Sequence, residues 1–152
     1  MEAVIRPAKP KDVGLAQHIE ASIYPDPWPR ALFQLVLERA HGLFLVAVLD
    51  ERIVGYAVGE VEMRDGLLVG HVMNVAVDHL WRRKGVGQAL LEELEARLGK
   101  RGVAFFFLEV RESNLPAQYL YTKNGYMVVG RLPGYYRDED GLVMEKRIDR
   151  IR

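Results

Sequence analysis

Between Leu43 and Val110 apolar runs alternate with connections too short to hold more than a turn, until one long helix intervenes. Leu43–Leu49 is continuously apolar, Asp50-Glu51 is a tight connection, Arg52–Glu62 is the partner run, Arg64-Asp65-Gly66 turns again, and Leu67–Val77 follows. Connections that short join antiparallel neighbours. The next segment has a different period. Val86–Leu98 sets Leu90, Leu91, Leu94 and Leu98 in one stripe, and Glu93 with Arg97 forms an i,i+4 pair, so it reads as a helix. Gly99 and Gly102 bracket its end. Val103–Val110 is again a continuous strand-like run. Strand, helix and strand in that order imply a parallel pair with a right-handed crossover. A sheet that mixes both kinds of pairing, covered by helices, is what these segments allow.

The flanks extend the pattern. Ala3–Arg6 reads as a short strand. Pro10 suits a helix start, and Leu15, Ile19 and Ile23 recur every four residues. Pro25, Pro27 and Pro29 then forbid helix. Arg30–Ala40 forms a second helix with Leu32, Phe33, Val36 and Leu37 on one side. Ser113-Asn114 caps a helix Leu115–Asn124, which tolerates Pro116 in its first turn and stops at Gly125. Tyr126–Arg131 and Leu142–Arg147 read as a final strand pair, joined by Leu132–Gly141. The expected fold class is α/β: one domain over residues 1–152, a central mixed twisted sheet of about seven strands, and about four helices on both faces.

Composition removes several functions. The 152 residues carry 21 basic and 21 acidic side chains, which argues against a dedicated nucleic-acid binder. Without cysteine there is no disulfide, thiolate metal site or cysteine nucleophile. His18, His41, His71 and His79 form no close-spaced pair, so no metal is expected. The N-terminal residues do not read as a signal peptide, and no apolar stretch reaches the ~18 residues of a membrane span. A cytoplasmic location with no membrane partner is the expectation.

Three places carry chemistry. Arg82-Arg83-Lys84-Gly85-Val86-Gly87 lies between a strand and a helix. Two glycines let backbone N–H groups approach a ligand, the helix start adds unpaired donors, and three cations supply charge. This is an anion cradle, or else a basic loop before a glycine-assisted helix start. It has neither the Gly-Lys-Ser/Thr of a Walker loop nor the third glycine of a dinucleotide fingerprint. Glu109 closes an apolar strand. Partial desolvation there raises a carboxyl pKa toward the range of a general base, whereas a solvent-facing strand end does not. Tyr121 lies on the following helix, where it either donates a proton or packs in the core.

These residues resemble the GNAT N-acetyltransferase superfamily, and within it the ribosomal-protein alanine acetyltransferases and archaeal N-terminal acetyltransferases. Arg82 to Gly87 matches the acetyl-CoA loop Gln/Arg-x-x-Gly-x-Gly/Ala. Asn74-Val75-Ala76-Val77-Asp78 matches the strand that carries the family's bulge. Leu108-Glu109-Val110-Arg111-Glu112-Ser113-Asn114 and Leu120-Tyr121-Thr122-Lys123-Asn124-Gly125-Tyr126 match two further motifs, in the expected order, over about Val4 to Arg147.

The resemblance implies an active site in a V-shaped opening between Leu67–Val77 and Val103–Val110. Acetyl-CoA is the implied cosubstrate, with no metal. Its pantetheine arm pairs with the backbone of Val75 and Val77. Its pyrophosphate rests on Arg82, Arg83, Lys84, Gly85, Val86 and Gly87, with Gln88 at the same helix start and Asn114 along the arm. Glu109 is the implied general base, a backbone N–H near Val75 the oxyanion donor, and Tyr121 the acid for the leaving thiolate. Trp28, Phe33, Tyr135 and Tyr136 shape the acceptor site. A protein N-terminus, that of a ribosomal protein included, is the implied acceptor. A small-molecule amine, a lysine side chain and a non-catalytic acyl-CoA-binding module are the competing readings.

Overall fold

Paired left-handed residues make the two short turns. Asp50 and Glu51 have φ of 49° and 65°, and Asp65 and Gly66 have 49° and 80°. Two successive positive φ values give the turn whose twist suits adjacent antiparallel strands. These turns belong to a computed structural model that describes residues 2–148. They join β2 (Gly42–Leu49), β3 (Arg52–Arg64) and β4 (Leu67–Val77). β1 (Val4–Pro7) pairs with β2. On the other side lie β5 (Phe105–Arg111), β7 (Glu139–Arg147) and β6 (Met127–Tyr136), giving one sheet of order β1-β2-β3-β4-β5-β7-β6. β4 and β5 are parallel and the remaining pairs antiparallel, as the strand–helix–strand order requires.

Alternation along the strands splits the core in two. Leu45, Ala47 and Leu49 face α3 (Val86–Gly99) and α4 (Leu115–Lys123), where Leu90, Leu94, Leu98 and Tyr121 are buried. Phe44 and Val46 face the opposite layer, α1 (Val13–Ile23) and α2 (Arg30–Glu38), with Val13, Ala16 and Phe33. Pro10 begins a short 3-10 turn, Pro10–Asp12, and α1 follows it directly.

The sheet parts in the middle. β4 and β5 pair only at Gly70 with Phe106 and His71 with Phe107, although β4 continues to Val77 and β5 to Arg111. The cause lies in β4. Val58 pairs with Asn74 and Gly59 with Val72, so Met73 is an extra residue. A bulge bends the strand and increases its twist, which turns the end of β4 away from β5. The expected V-shaped opening follows from it.

One expected connection is shorter than the sequence reading. Leu132–Gly141 was read as the link between the last strands, but β6 runs on to Tyr136 and β7 begins at Glu139. Pro133 and Gly134 look like turn residues, which hides the strand. The Asp140 carboxylate holds them in it, accepting from the Gly134 N–H at 2.8 Å and Arg131 Nε at 3.2 Å. Tyr135 and Tyr136 therefore stand on a strand rather than in a loop.

Candidate active site

On one side of the parted strands lies a cleft of about 850 Å³ lined by Val75, Val77, Arg82, Arg83, Gly85, Val86, Gly87, Gln88 and Asn114. Its floor is the start of α3, which has no side-chain cap. Its first N–H groups, with the positive end of the helix dipole, are thus available to an anion. Gly85 has φ of 79°, and a Cβ there would meet nothing within 4 Å. A Cβ on Gly87 would lie 3.6 Å from the side chains of Leu120 and Val77, an ordinary contact. Arg83, with φ of 62°, holds a left-handed conformation that L side chains uncommonly adopt. The Val77 carbonyl accepts from Arg82 Nε at 3.2 Å, so its polar edge faces away from β3. Val75, two residues earlier, presents the same edge. The donor set, two arginines lining the cleft together with an uncapped helix start, fits a diphosphate.

On the other side a pocket of about 460 Å³ is lined by Trp28, His71, Glu109, Tyr135, Tyr136 and Arg137. The two cavities meet, sharing Tyr24, Arg111, Asn114, Ala117 and Tyr121. Burial pushes the Tyr121 phenol well above its ordinary value, reinforced by Tyr24 and Tyr136, so it carries its proton at neutral pH. Its hydroxyl has no hydrogen-bond partner among the described residues. Tyr24 is pushed up to about 12 by burial and by the charge of Glu20. Glu20, only 2% exposed, accepts from the Trp28 N–H at 2.9 Å, Asn74 Nδ2 at 2.7 Å and the Tyr56 hydroxyl. This buried knot ties the α1–α2 loop to the bulged strand.

Glu109 does not stand alone. His71 Nε2 lies 2.7 Å from Glu109 Oε1, and His71 Nδ1 lies 2.6 Å from Glu62 Oε2. The imidazole stacks on Phe107 with centroids 4.3 Å apart. Burial opposes its charge, but the hydrogen bonds and charges of Glu109 and Glu62 outweigh burial and raise its pKa above the usual 6.5. An imidazolium between two carboxylates results. Burial also acts on Glu62, yet His71 outweighs it and holds that carboxyl below its usual 4.5. Burial pushes the neighbouring Glu60 up, toward its neutral form. Arg39 lies 3.3 Å from Glu60 Oε2 without the alignment of a hydrogen bond. Glu60, Glu62 and His71 bring possible metal-ligand atoms within 4.8 Å of one another, a grouping that histidine spacing does not reveal.

The pair has a pH signature. A raised His71 pKa contributes stability that is complete below the unfolded value near 6.5 and is lost as pH rises through the folded value. A lowered Glu62 pKa contributes stability above about 4.5 that is lost as pH falls through the folded value. The melting-temperature margin of the native chain over His71→Gln is therefore expected to be largest between these limits and to shrink as pH rises from 6.5 toward 9. A margin independent of pH would contradict the imidazolium.

The other expected residues divide. Trp28, Tyr135 and Tyr136 line the smaller pocket, and Val75, Val77, Arg82, Arg83, Gly85, Val86, Gly87 and Asn114 line the cleft. Phe33 does not fit its expected role. It is 0% exposed and packs between Trp28, Phe44 and Tyr56, so it supports Trp28 from behind and cannot touch an acceptor. Lys84 is not part of the cleft lining. Gln88 lines it, but its amide is engaged by Asn124 and Glu92. Asn114 Oδ1 caps α4 through the Ala117 N–H at 3.2 Å. The pairings of His71 with Glu62 and Glu109, and of Glu20 with Tyr56 and Asn74, are not visible in the sequence, because each joins separate elements.

The profile of the acetyltransferase (GNAT) family matches residues 15–126, and the chain belongs to that family, as an N-acetyltransferase of the GNAT type. It is 32% identical over 152 residues to an N-alpha-acetyltransferase of Saccharolobus solfataricus, covering 93% of this chain and 91% of the relative. It is 34% identical over 130 residues to the ribosomal protein bS18 alanine N-acetyltransferase of Escherichia coli, covering 86% and 84%. The crystal structure of Ard1 from Thermoplasma volcanium superposes with a TM-score of 0.89 at 26% identity, covering 99% of this chain and all 100% of that one. Among the described residues no helix is long and apolar enough to cross a membrane.

Proposed function

We propose that this enzyme transfers the acetyl group of acetyl-CoA to the α-amine of a protein or peptide N-terminus in the cytoplasm, with a ribosomal protein as one candidate acceptor. The observation that carries the reading is the junction of the two cavities at Tyr121, with Glu109 on the acceptor side. Donor and acceptor can reach one point from opposite sides of the sheet. The names of the relatives support the choice of acceptor.

Bound acetyl-CoA supplies the acetyl group as a thioester. The N–H groups from Arg83 to Gly87 and the Arg82 and Arg83 charges hold its pyrophosphate, while the open edge at Val75 and Val77 and the Asn114 side chain hold its arm. Glu109 takes a proton from the acceptor ammonium, directly or through water. An α-ammonium titrates near ~8, against ~10.4 for lysine, so a modest base suffices. His71, fixed by Glu62 and Phe107, occupies one Glu109 oxygen and leaves the other to the acceptor. The amine then attacks the carbonyl, a backbone N–H near Val75 stabilises the oxyanion, Tyr121 gives its proton to the departing thiolate, and the second proton shed by the acylated nitrogen restores the phenol. No covalent enzyme intermediate is required.

Tyr121→Phe tests the acid. It removes a hydroxyl with no protein partner, so stability is expected to change by less than about 1 kcal/mol. A thiolate is a good leaving group, and kcat is expected to fall about 10- to 100-fold. Melting curves and steady-state rates read the two effects. Lost folding would return Tyr121 to a packing role, and an unchanged kcat would remove it as the acid.

A further inference from the structure

The charges around the acceptor pocket are unevenly compensated. Six charged or titratable residues other than tyrosine line it: Glu20, Asp26, His71, Glu109, Arg111 and Arg137. Glu109 is matched by His71 at 2.7 Å. Arg111 is matched twice, by Asp138 at 2.7 Å and Glu139 at 3.1 Å, and its guanidinium lies over the Tyr136 ring. Glu20 is spent on three hydrogen bonds from the protein. Two charges remain. Asp26, on the α1–α2 loop, and Arg137, at the turn between β6 and β7, are both exposed, and neither has a charged or hydrogen-bonding partner among the described residues.

The two stand on separate segments that border one pocket. Glu109 lines that pocket with one oxygen on His71 and the other open to a cation. Arg137 follows directly on Tyr135 and Tyr136, whose hydroxyls offer hydrogen bonds to a bound backbone. A chain that enters ammonium first therefore passes the tyrosines and meets an unpaired guanidinium. Every other cation of the pocket already has its carboxylate, so Arg137 is the one free to select.

We infer that Arg137 makes this enzyme prefer acceptor peptides with an acidic side chain at the second or third position. The inference rests on the N-terminal acceptor reading above and names the substrate class of that site. An exposed guanidinium–carboxylate contact is modest and screened by salt, which sets the scale of the preference at about two- to fivefold in kcat/KM at low ionic strength.

The test uses acetyl-CoA with three peptides of one first residue and one body, carrying Glu, Gln or Lys at positions two and three. The native chain, Arg137→Ala and Arg137→Glu are compared at low and high salt. The expected result is Glu over Gln over Lys for the native chain, a flat response for Arg137→Ala, and the reverse order for Arg137→Glu. The differences between peptides should collapse at high salt. Turnover with no dependence on peptide charge, or an order that survives Arg137→Glu, would overturn the inference and leave the N-terminal reading standing. No turnover of any peptide would overturn the N-terminal reading and the inference with it. Turnover of a free amino acid alone would do the same, assigning Arg137 to the carboxylate of a zwitterionic amine.

Discussion

Glu109→Gln is expected to lower kcat by about 10²- to 10⁴-fold, the usual reach of one general base. The substitution keeps shape and hydrogen bonding. A glutamine carbonyl accepts from His71 Nε2 as the carboxylate does at 2.7 Å, so the stack on Phe107 and the contact with Glu62 survive. The donor cleft on the other side of the opening does not include Glu109, and acetyl-CoA affinity should change little. A loss confined to kcat is the expected pattern. Equal loss of donor affinity would point to collapse of the site. An unchanged rate across pH would remove Glu109 as the base.

Gly87→Val separates binding from folding at the other cavity. The first atom of a new side chain is tolerated, because a Cβ at this position meets Leu120 and Val77 at 3.6 Å. The branches beyond it project among Leu120, Val77 and the cleft that these residues line, taking up space a bound diphosphate would need. Relative to alanine, valine costs about 0.6 kcal/mol and glycine about 1 kcal/mol in a helix, so helix propensity changes little. The expected result is a folded protein with acetyl-CoA affinity reduced at least about 100-fold, the loss of roughly two charge-assisted hydrogen bonds. Calorimetric titration and a melting curve measure both. Normal affinity in a folded Gly87→Val would refute the cradle. The same variant distinguishes a structural glycine from a binding one, since the φ of 79° that demands glycine belongs to Gly85 instead.

Local chemistry was readable wherever neighbours in sequence are also neighbours in space. The turns at Asp50-Glu51 and Asp65-Gly66, the α3 stripe and the Asn114 cap all depend on residues close in the chain. The mixed sheet and its parallel pair followed from segment order. The last hairpin was longer than read, because the contacts that keep Pro133 and Gly134 in β6 come from Asp140 across the turn. The pairing of His71 with Glu109 spans 38 positions, and that of Glu20 with Asn74 spans 54. Nothing in a single sequence marks such pairs. Phe33 shows the converse limit. Its place beside Trp28 in the motif was legible, but its direction was not, and it turns into the core beneath the residue that faces the pocket.

The central claim is that the acceptor is an α-amine. The direct measurement is acetyl transfer from acetyl-CoA to matched peptides, each with an internal lysine, whose N-termini are either free or blocked, with the modified position located by fragmentation mass spectrometry. Turnover on free N-termini alone, with the acetyl group on the first residue, is the predicted result. Acetylation of the lysine in blocked peptides, at a rate matching the free ones, would contradict it.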